Sequence, residues 1–393
     1  QIVDSGPGTA AGVCECGFNL VPGDNLDCHG TTWAGVDEEL FCPKGYTYDN
    51  VVQGLSCGPN PWRQRFAARG ANTICIPDGA EADETCPTQH PIRPGTGVKI
   101  LSETDVVVGS SSLSLLRHYA HQNLFHPLRA KKALGTSWKH EYEKSIEING
   151  VGALLTAYVY REDGRVLFFN LIGNSWVPRS NVVSRLAEIK NMEGARIGWQ
   201  HVTADDDIEL YDDSGKLLSV TSRADHTKTL TYSDGTAGSN GGYVLDADGN
   251  PTATVLPADL MIRVTDASGR SLSFGYDSTN RLVKILDPEN QTYKYRYDTN
   301  SNLSSVTYPG NTTKTYLYNE VGYTSGADLT TSITGIIDEN NVRYASYWYD
   351  TTGRANKEEL APGLGLGIDQ HSLTYNTGNT IVTDPLGTAR TYN

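Results

Sequence analysis

A chain of 393 residues is long enough to bury a core, and its 22 Tyr and 40 Gly against only two Met lean towards β structure with many turns. The formal net charge of −14 argues against a nucleic-acid groove, which needs a basic stripe, and fits an ordinary solvated surface. No uninterrupted apolar run is long enough to span a membrane as a helix.

The chain opens Gln1-Ile2-Val3 without Met, as expected of the mature product of signal cleavage or of a trimmed chain. All seven cysteines, Cys14, Cys16, Cys28, Cys42, Cys57, Cys75 and Cys86, precede residue 87. Their spacing lacks two paired Cys-x-x-Cys knuckles, which disfavours zinc, and the Gly- and Pro-rich surroundings offer few apolar periods. A disulfide-stabilised head over 1–86 is therefore expected, with three internal bridges, in an oxidising, secreted or cell-surface setting. The odd count leaves at least one thiol free, paired with another chain, or paired with a part of the protein outside this sequence. A polar stretch from Asp78 to Pro94 reads as linker, with the boundary at 87–94.

Residues 95–155 contain Gly95-Thr96-Gly97-Val98-Lys99-Ile100, then Leu113-x-Leu115-x-Arg117-x-Tyr119 and Leu134-Gly135-x-x-Trp138. His118, His121, His126 and His140 fall close together here. No carboxylate-His pairing at helical spacing accompanies them, so they are expected to be loop and strand histidines rather than a metal or acid–base site.

From 156 to 393 the chain repeats itself. Tyr276, Tyr297 and Tyr318 are 21 residues apart, as are Phe274, Tyr295 and Tyr316, then Asp266, Asp287 and Tyr308, and Gly269, Asn290 and Asn311. Such units bury their apolar faces only by stacking on neighbours. In Thr292-Tyr293-Lys294-Tyr295-Arg296-Tyr297 aromatics alternate with polar and charged residues, the period-2 pattern of a half-buried strand. This places Tyr295 on the buried face and Lys294 and Arg296 on the other. The fourth residue after the Tyr is Gly164, Gly215, Asn280, Ser301 or Gly353 in five copies, which suits the positive φ of a tight turn except at Ser301. A second turn follows at Asp287-Pro288-Glu289-Asn290, echoed at Asp384-Pro385-Leu386-Gly387, with the residue preferences of a type I turn. Tyr211 and Tyr232 keep the 21-residue interval, whereas Tyr349 lies 31 beyond Tyr318 because of an insertion at Glu320 to Ser332. Ser184 to Ala195 fits either one short helix or a longer hairpin. Asp234 to Pro257 is expected to be a loop on one edge.

Tyr-Asp-x-x-Gly/Asn-Arg-Leu followed by Asp-Pro-x-Gly and an aromatic strand resembles the YD repeat of the Rhs family, over roughly Pro94 to the C-terminus. The resemblance implies an all-β fold, a YD-repeat ribbon of antiparallel hairpins spiralling into an open or partial shell, which in many relatives encloses a C-terminal toxin. It also implies that 95–155 is an entry segment whose Gly135-x-x-Trp138 forms a corner before the repeats. On this reading Tyr211, Tyr232, Tyr276, Tyr297, Tyr318, Tyr349, Asp266, Asp287, Asp384, Gly215, Asn280 and Gly353 are structural repeat positions.

The sequence has no Gly-x-Ser-x-Gly, phosphate-binding Gly loop or His-Glu-x-x-His, so no catalytic residue, metal or cofactor is assigned. Asp246, Asp248 and Asn250 resemble part of a calcium loop, but Pro251 stands where such a loop has Gly, and a plain turn is the alternative. Three sequons (Asn290, Asn302, Asn311) are as well explained by repeat chemistry as by glycosylation. Thr380-Ile381-Val382-Thr383 is β-branched and uncharged. The last strand is therefore expected to be completed by another copy or by a continuation of the chain. The function expected is a non-enzymatic shell or scaffold serving toxin delivery or adhesion. A carbohydrate- or partner-binding module, with a glycan or protein as ligand, and a subunit of an extracellular polymer are the alternatives.

Overall fold

The computed structural model describes residues 92–108, 113–121, 133–150, 155–179, 182–361 and 368–392, with the backbone of short strands at Asn25–Leu26, Trp33–Ala34, Tyr46–Asp49, Gln64–Ala68 and Ala71–Pro77. The cysteine side chains, with the expected disulfides, and His126 lie outside the described residues. The chain forms two compact units. One comprises Gln1–Asp83, Glu147–Val159 and Arg165–Val182, the other Glu84–Ile146, Tyr160–Gly164 and Val183–Asn393. In the first, Tyr46–Asp49, Ala71–Pro77 and Gln64–Ala68 make a three-stranded antiparallel sheet. Val166–Ile172 forms a hairpin with Ser175–Pro178 around Gly173, and Phe168 packs edge-on against Tyr158.

The second unit contains both the entry segment and the repeats. Ile92–Arg93, Val98–Val107, Ser114–Ala120 and Trp138–His140 pair in chain order as a four-stranded sheet. From Arg185–Lys190 to Ala389–Tyr392 every strand pairs antiparallel with the one before it, the insertion hairpin at Tyr243–Leu245 and Pro251–Val255 standing outside this order. Ser184 to Ala195 is the longer hairpin, not a helix: Arg185–Lys190 pairs with Arg196–Val202 around Gly194. Alternation decides the faces, with Tyr295 2 % exposed and Arg296 exposed beside it.

Both turns of each unit share one construction. Asp277 donates its N–H to Arg281 O and accepts from Asn280 N–H at its carbonyl, and Asp287 does the same with Gln291 and Asn290. The fourth residue is left-handed, at φ 63° for Asn280, 61° for Asn290 and 82° for Gly215 and Gly353. This is the pattern of a type I turn continued by a bulge residue, so Asp-Pro-x-Gly is more than the plain type I turn its residue types imply. Ser301 takes the same conformation at φ 61°, against a cost of about 1–2 kcal/mol. The leading Asp carboxylate completes the turn: Asp277 Oδ1 accepts from Thr279 N–H (2.8 Å) and Arg281 N–H (2.9 Å). Asp246 does likewise with Asp248 and Asn250, both at 2.9 Å, which makes Asp246-Ala247-Asp248-Gly249 another turn of this type.

Two expectations need correction. The insertion at 234–257 is not a bare edge loop: its hairpin lies against the sheet, where a Cβ on Gly275 would stand 2.3 Å from Leu245 Cδ1. Arg296 and Leu317 occupy that repeat position in the next copies, so only the copy under the hairpin carries glycine. Secondly, Thr380–Thr383 is not an edge. Asn379–Thr383 pairs with Ile368–Asn376 on one side and Ala389–Tyr392 on the other, because Asp384-Pro385 turns the chain back into one more strand.

Candidate functional site

The repeat motif links each hairpin to the next. Tyr232, Tyr276, Tyr297 and Tyr318 donate their hydroxyls to the carbonyls of Leu217 (2.7 Å), Met261 (2.6 Å), Leu282 (2.6 Å) and Leu303 (2.8 Å), each 15 residues earlier. Tyr349 reaches Ile333 O at 2.7 Å, whereas Tyr211 turns instead to Glu209 Oε2 at 2.8 Å. The Arg or Lys of the motif is bound at both ends. Arg281 pairs with Asp277 (2.8 Å) and lies 4.6 Å over the Tyr297 ring of the next unit, as Arg354 does with Asp350 and Tyr375. Asp266 and Asp384 accept backbone N–H groups from Ser268 and Arg270, and from Leu386 and Thr388, as Asp287 does from Glu289 and Gln291. Phenylalanine would fill the same space without this bond. Tyr297→Phe is accordingly expected to destabilise by about 0.5–1.5 kcal/mol, read from the urea midpoint.

The entry segment is fastened to the same turns through its backbone. Ala355 N–H donates to Gly97 O (2.8 Å), Leu282 N–H to Ala133 O (2.7 Å), Thr136 N–H to Ser301 O (3.1 Å) and Ile146 N–H to Gly215 O (2.9 Å). Gly135, at φ 79°, allows this approach, since a Cβ there would fall 2.2 Å from Ser301 O. Trp138, 1 % exposed, donates from Nε1 to Tyr318 Oη at 3.1 Å.

Three buried ionic groups lie along this contact. Arg117 donates to Asp105 through Nε (2.5 Å) and Nη2 (2.8 Å) and to Glu103 through Nη2 (3.2 Å). Tyr295 and Tyr308 also donate to Asp105, and Tyr316 donates to Glu103. Burial would pull the guanidinium down, yet Asp105, with Glu103, holds it well above its usual range. Arg161 makes two bonds to Glu209, at 2.6 and 3.0 Å, alongside His201 and Lys144. Burial pushes the Glu209 carboxyl up, but the His201 bond and the Arg161 and Lys144 charges hold it well below the carboxylate range. Lys99 meets Glu358 at 3.2 Å, both side chains fully buried. His121 and His140 are buried and held neutral, desolvation lowering them to about 4 and about 3. His118 meets Ser102 Oγ at 3.0 Å. Among the described residues no group of three or more His, Cys, Asp or Glu is placed to hold a metal ion.

These groups escaped the motif reading because their partners are remote: Arg117 reaches a tyrosine 199 residues away and Lys99 a glutamate 259 away. One signal was available. Alternation puts Arg117 on the face of Leu115 and Tyr119, an apolar face.

Between 133–145 and the repeat turns lies a cleft of about 1140 Å³, with Lys139, Glu143, Lys216, Asn280, Arg281 and Asn300 in its lining. Burial pushes the Glu143 carboxyl up to about 7, against Lys139 and the N–H groups of His140 (2.9 Å) and Ala133 (3.3 Å). The folded value exceeds the ordinary glutamate value of 4.5, so the contribution to stability is present at low pH and lost as pH rises through about 7. Stability should fall by about 1–3 kcal/mol between pH 5 and pH 8, and Glu143→Gln should remove that part of the slope, measured as urea midpoints across the range.

Residues 256–292 and 276–313 match the RHS Repeat family model, and 89–169 match a domain of unknown function, DUF6531. The chain carries RHS repeats. The DUF6531 match covers the strands that fasten onto the repeat turns. No curated protein matches the chain. Among solved structures, a TcdB2-TccC3-Cdc42 crystal structure is similar at 13% identity and TM-score 0.30 over 69% of this chain and 16% of that one. The Photorhabdus luminescens Tc holotoxin pore is similar at 11% identity and TM-score 0.30, over 83% and 17%. The N-terminal domain of the Salmonella typhimurium effector SpvB is similar at 13% identity and TM-score 0.25, over 74% and 98%. The chain thus spans less than a fifth of the first two. Its RHS character rests on the matched repeats and their turn geometry.

Proposed function

We propose that the chain is a non-enzymatic shell or scaffold segment of an RHS-type protein, secreted or at the cell surface, serving toxin delivery or adhesion. The observation that carries this reading is the four-point backbone attachment of the entry segment to the repeat turns. It makes the array a fixed frame, and the buried ionic groups are engaged in holding that frame. Limited proteolysis of the complete gene product, read by mass spectrometry, tests it. Delivery predicts a polypeptide segment outside 95–393 that resists digestion until the frame is loosened. If everything outside the repeats is cut at once, delivery is wrong and binding of the labelled chain to intact cells becomes the test of adhesion.

The outer edge of Ala389–Tyr392 belongs to this proposal. A strand from another copy, or the continuing chain, would complete it by β-augmentation. Thr391→Pro, whose N–H faces outward at a non-bonded position opposite Ile381, should then suppress association in sedimentation velocity while leaving the thermal midpoint nearly unchanged.

A further inference from the structure

On the face of the repeat sheet opposite the tyrosines, one copy differs from its neighbours in charge. Lys284, Lys294 and Arg296 point outward there. The same positions 21 residues later hold Ser305, Thr315 and Leu317, and 21 residues earlier Arg263, Ser273 and Gly275. The later copy forms the same strands without a cation at any of them, so the sheet does not need them. Their arrangement is also unfavourable. Lys284 stands directly opposite Lys294, and Arg296 follows on the same face. Like charges so opposed, with Cβ atoms about 5 Å apart, destabilise a sheet. The fold relieves this only weakly. Lys294 makes no hydrogen bond or ion pair among the described residues, and Lys284 reaches only Gly249 O, at 3.5 Å. Arg296, half exposed, meets Asp248 at 3.4 Å. Among the described residues one carboxylate thus answers three cations, in a chain whose formal net charge is −14. Beside them the hydroxyls of Ser305, opposite Arg296, and of Thr315, opposite Ser305, make no hydrogen bond among the described residues.

We propose that this row of cations binds an extended acidic segment of a partner protein, one that carries carboxylates on alternate residues. Along a strand the side chains of one face recur about every 6.6 Å, which is how Lys294 and Arg296 are presented. A partner segment in the same extended form offers its carboxylates at that interval, and Ser305 and Thr315 can donate to them as well. The insertion hairpin shows the contact within the molecule, since its Asp248 already sits against Arg296 and leaves Lys294 open. A bound acidic segment would also remove the repulsion between the two opposed lysines, which an uncharged partner could not do. The inference goes beyond the scaffold reading and does not depend on it.

The test is thermophoresis of the labelled whole chain at low ionic strength, titrated with a short peptide of alternating Thr and Glu. The peptide should bind, and weaken as salt is added, while its Thr and Gln counterpart should not bind. Lys284→Ser combined with Lys294→Thr installs the residues of the next copy, and affinity should fall about fivefold or more. In the free chain the same pair of changes should leave the thermal midpoint equal or raise it, because an opposed like-charge pair is gone. Lys190→Gln, which breaks an exposed ion pair elsewhere, should bind like wild type. Absence of binding up to about 5 mM peptide overturns the proposal, as does an affinity within about twofold of wild type in the double variant. A lowered midpoint in that variant would make the lysines structural and overturn it too. Tighter binding of a short polyphosphate of equal charge through the same lysines would make the row a general anion site and sink the acidic-peptide assignment. Self-association at low salt that the double replacement abolishes would name a second copy as the occupant and sink the separate partner.

Discussion

Asp105→Ala is expected to destabilise the second unit by about 3–5 kcal/mol, the cost of leaving a buried charge without its partner. Asp105 has no exposed side-chain surface, nor does Arg117, and its carboxylate accepts two bonds from Arg117 and one each from Tyr295 and Tyr308. Its removal leaves the guanidinium with Glu103, and it strands two tyrosine hydroxyls, 190 and 203 residues downstream. Trp138 lies under this group, with Arg117 Cζ 4.5 Å from its ring, so its fluorescence should report the loss in a urea titration. Replacing Asp105 and Arg117 together by Leu and Met should cost less, since no buried guanidinium is left behind and Glu103 keeps Tyr316 and Lys314, although the two tyrosine hydroxyls still lose Asp105. If the single variant matched wild type within about 1 kcal/mol, the ionic group would not fasten the entry segment.

Gly215→Ala should be far more damaging than the same replacement at the repeat turn of Gly269. Glycine here has φ 82°, which costs a side chain about 1–2 kcal/mol, and a Cβ would stand 1.8 Å from Ile146 O. No flexible side chain can yield, because the obstacle is the carbonyl of the entry segment itself. Gly269 has almost the same φ, 80°, with nothing within 4 Å of a Cβ. Gly269→Ala should therefore show the conformational cost alone, and Gly215→Ala that cost plus the loss of the Ile146 contact. Thermal midpoints of the two variants separate the terms. Equal midpoints would mean that the entry segment does not hold the turn.

The repeats were legible because every feature that builds them is local. A 21-residue period, an alternation of aromatic and polar or charged residues, and Gly or Asn at the left-handed position all act within one hairpin. Ser301 broke the residue pattern and kept the geometry, and its carbonyl accepts from Thr136 N–H. The bond from the hydroxyls of Tyr232, Tyr276, Tyr297 and Tyr318 to a carbonyl 15 residues back was invisible, although it explains why those positions are Tyr and not Phe. The fasteners were illegible for the opposite reason. Nothing near Lys99 or Arg117 in sequence announces Glu358 or Tyr316. Asp384-Pro385 returns the chain as one more strand, whose pairing makes the β-branched run before it internal.

The bonds that fasten the entry segment also order events in time. Thr380 Oγ1 donates to Pro94 O across 286 residues, and Leu282 and Ser301 meet Ala133 and Thr136 across more than a hundred. During synthesis the entry strands leave the ribosome first and wait for partners that do not yet exist. Hairpins can close one by one as they emerge, whereas contacts of such separation close slowly. The last step of folding should then be the locking of residues made early onto turns made late. A chain halted before Thr380 would hold its ribbon but lack that final latch.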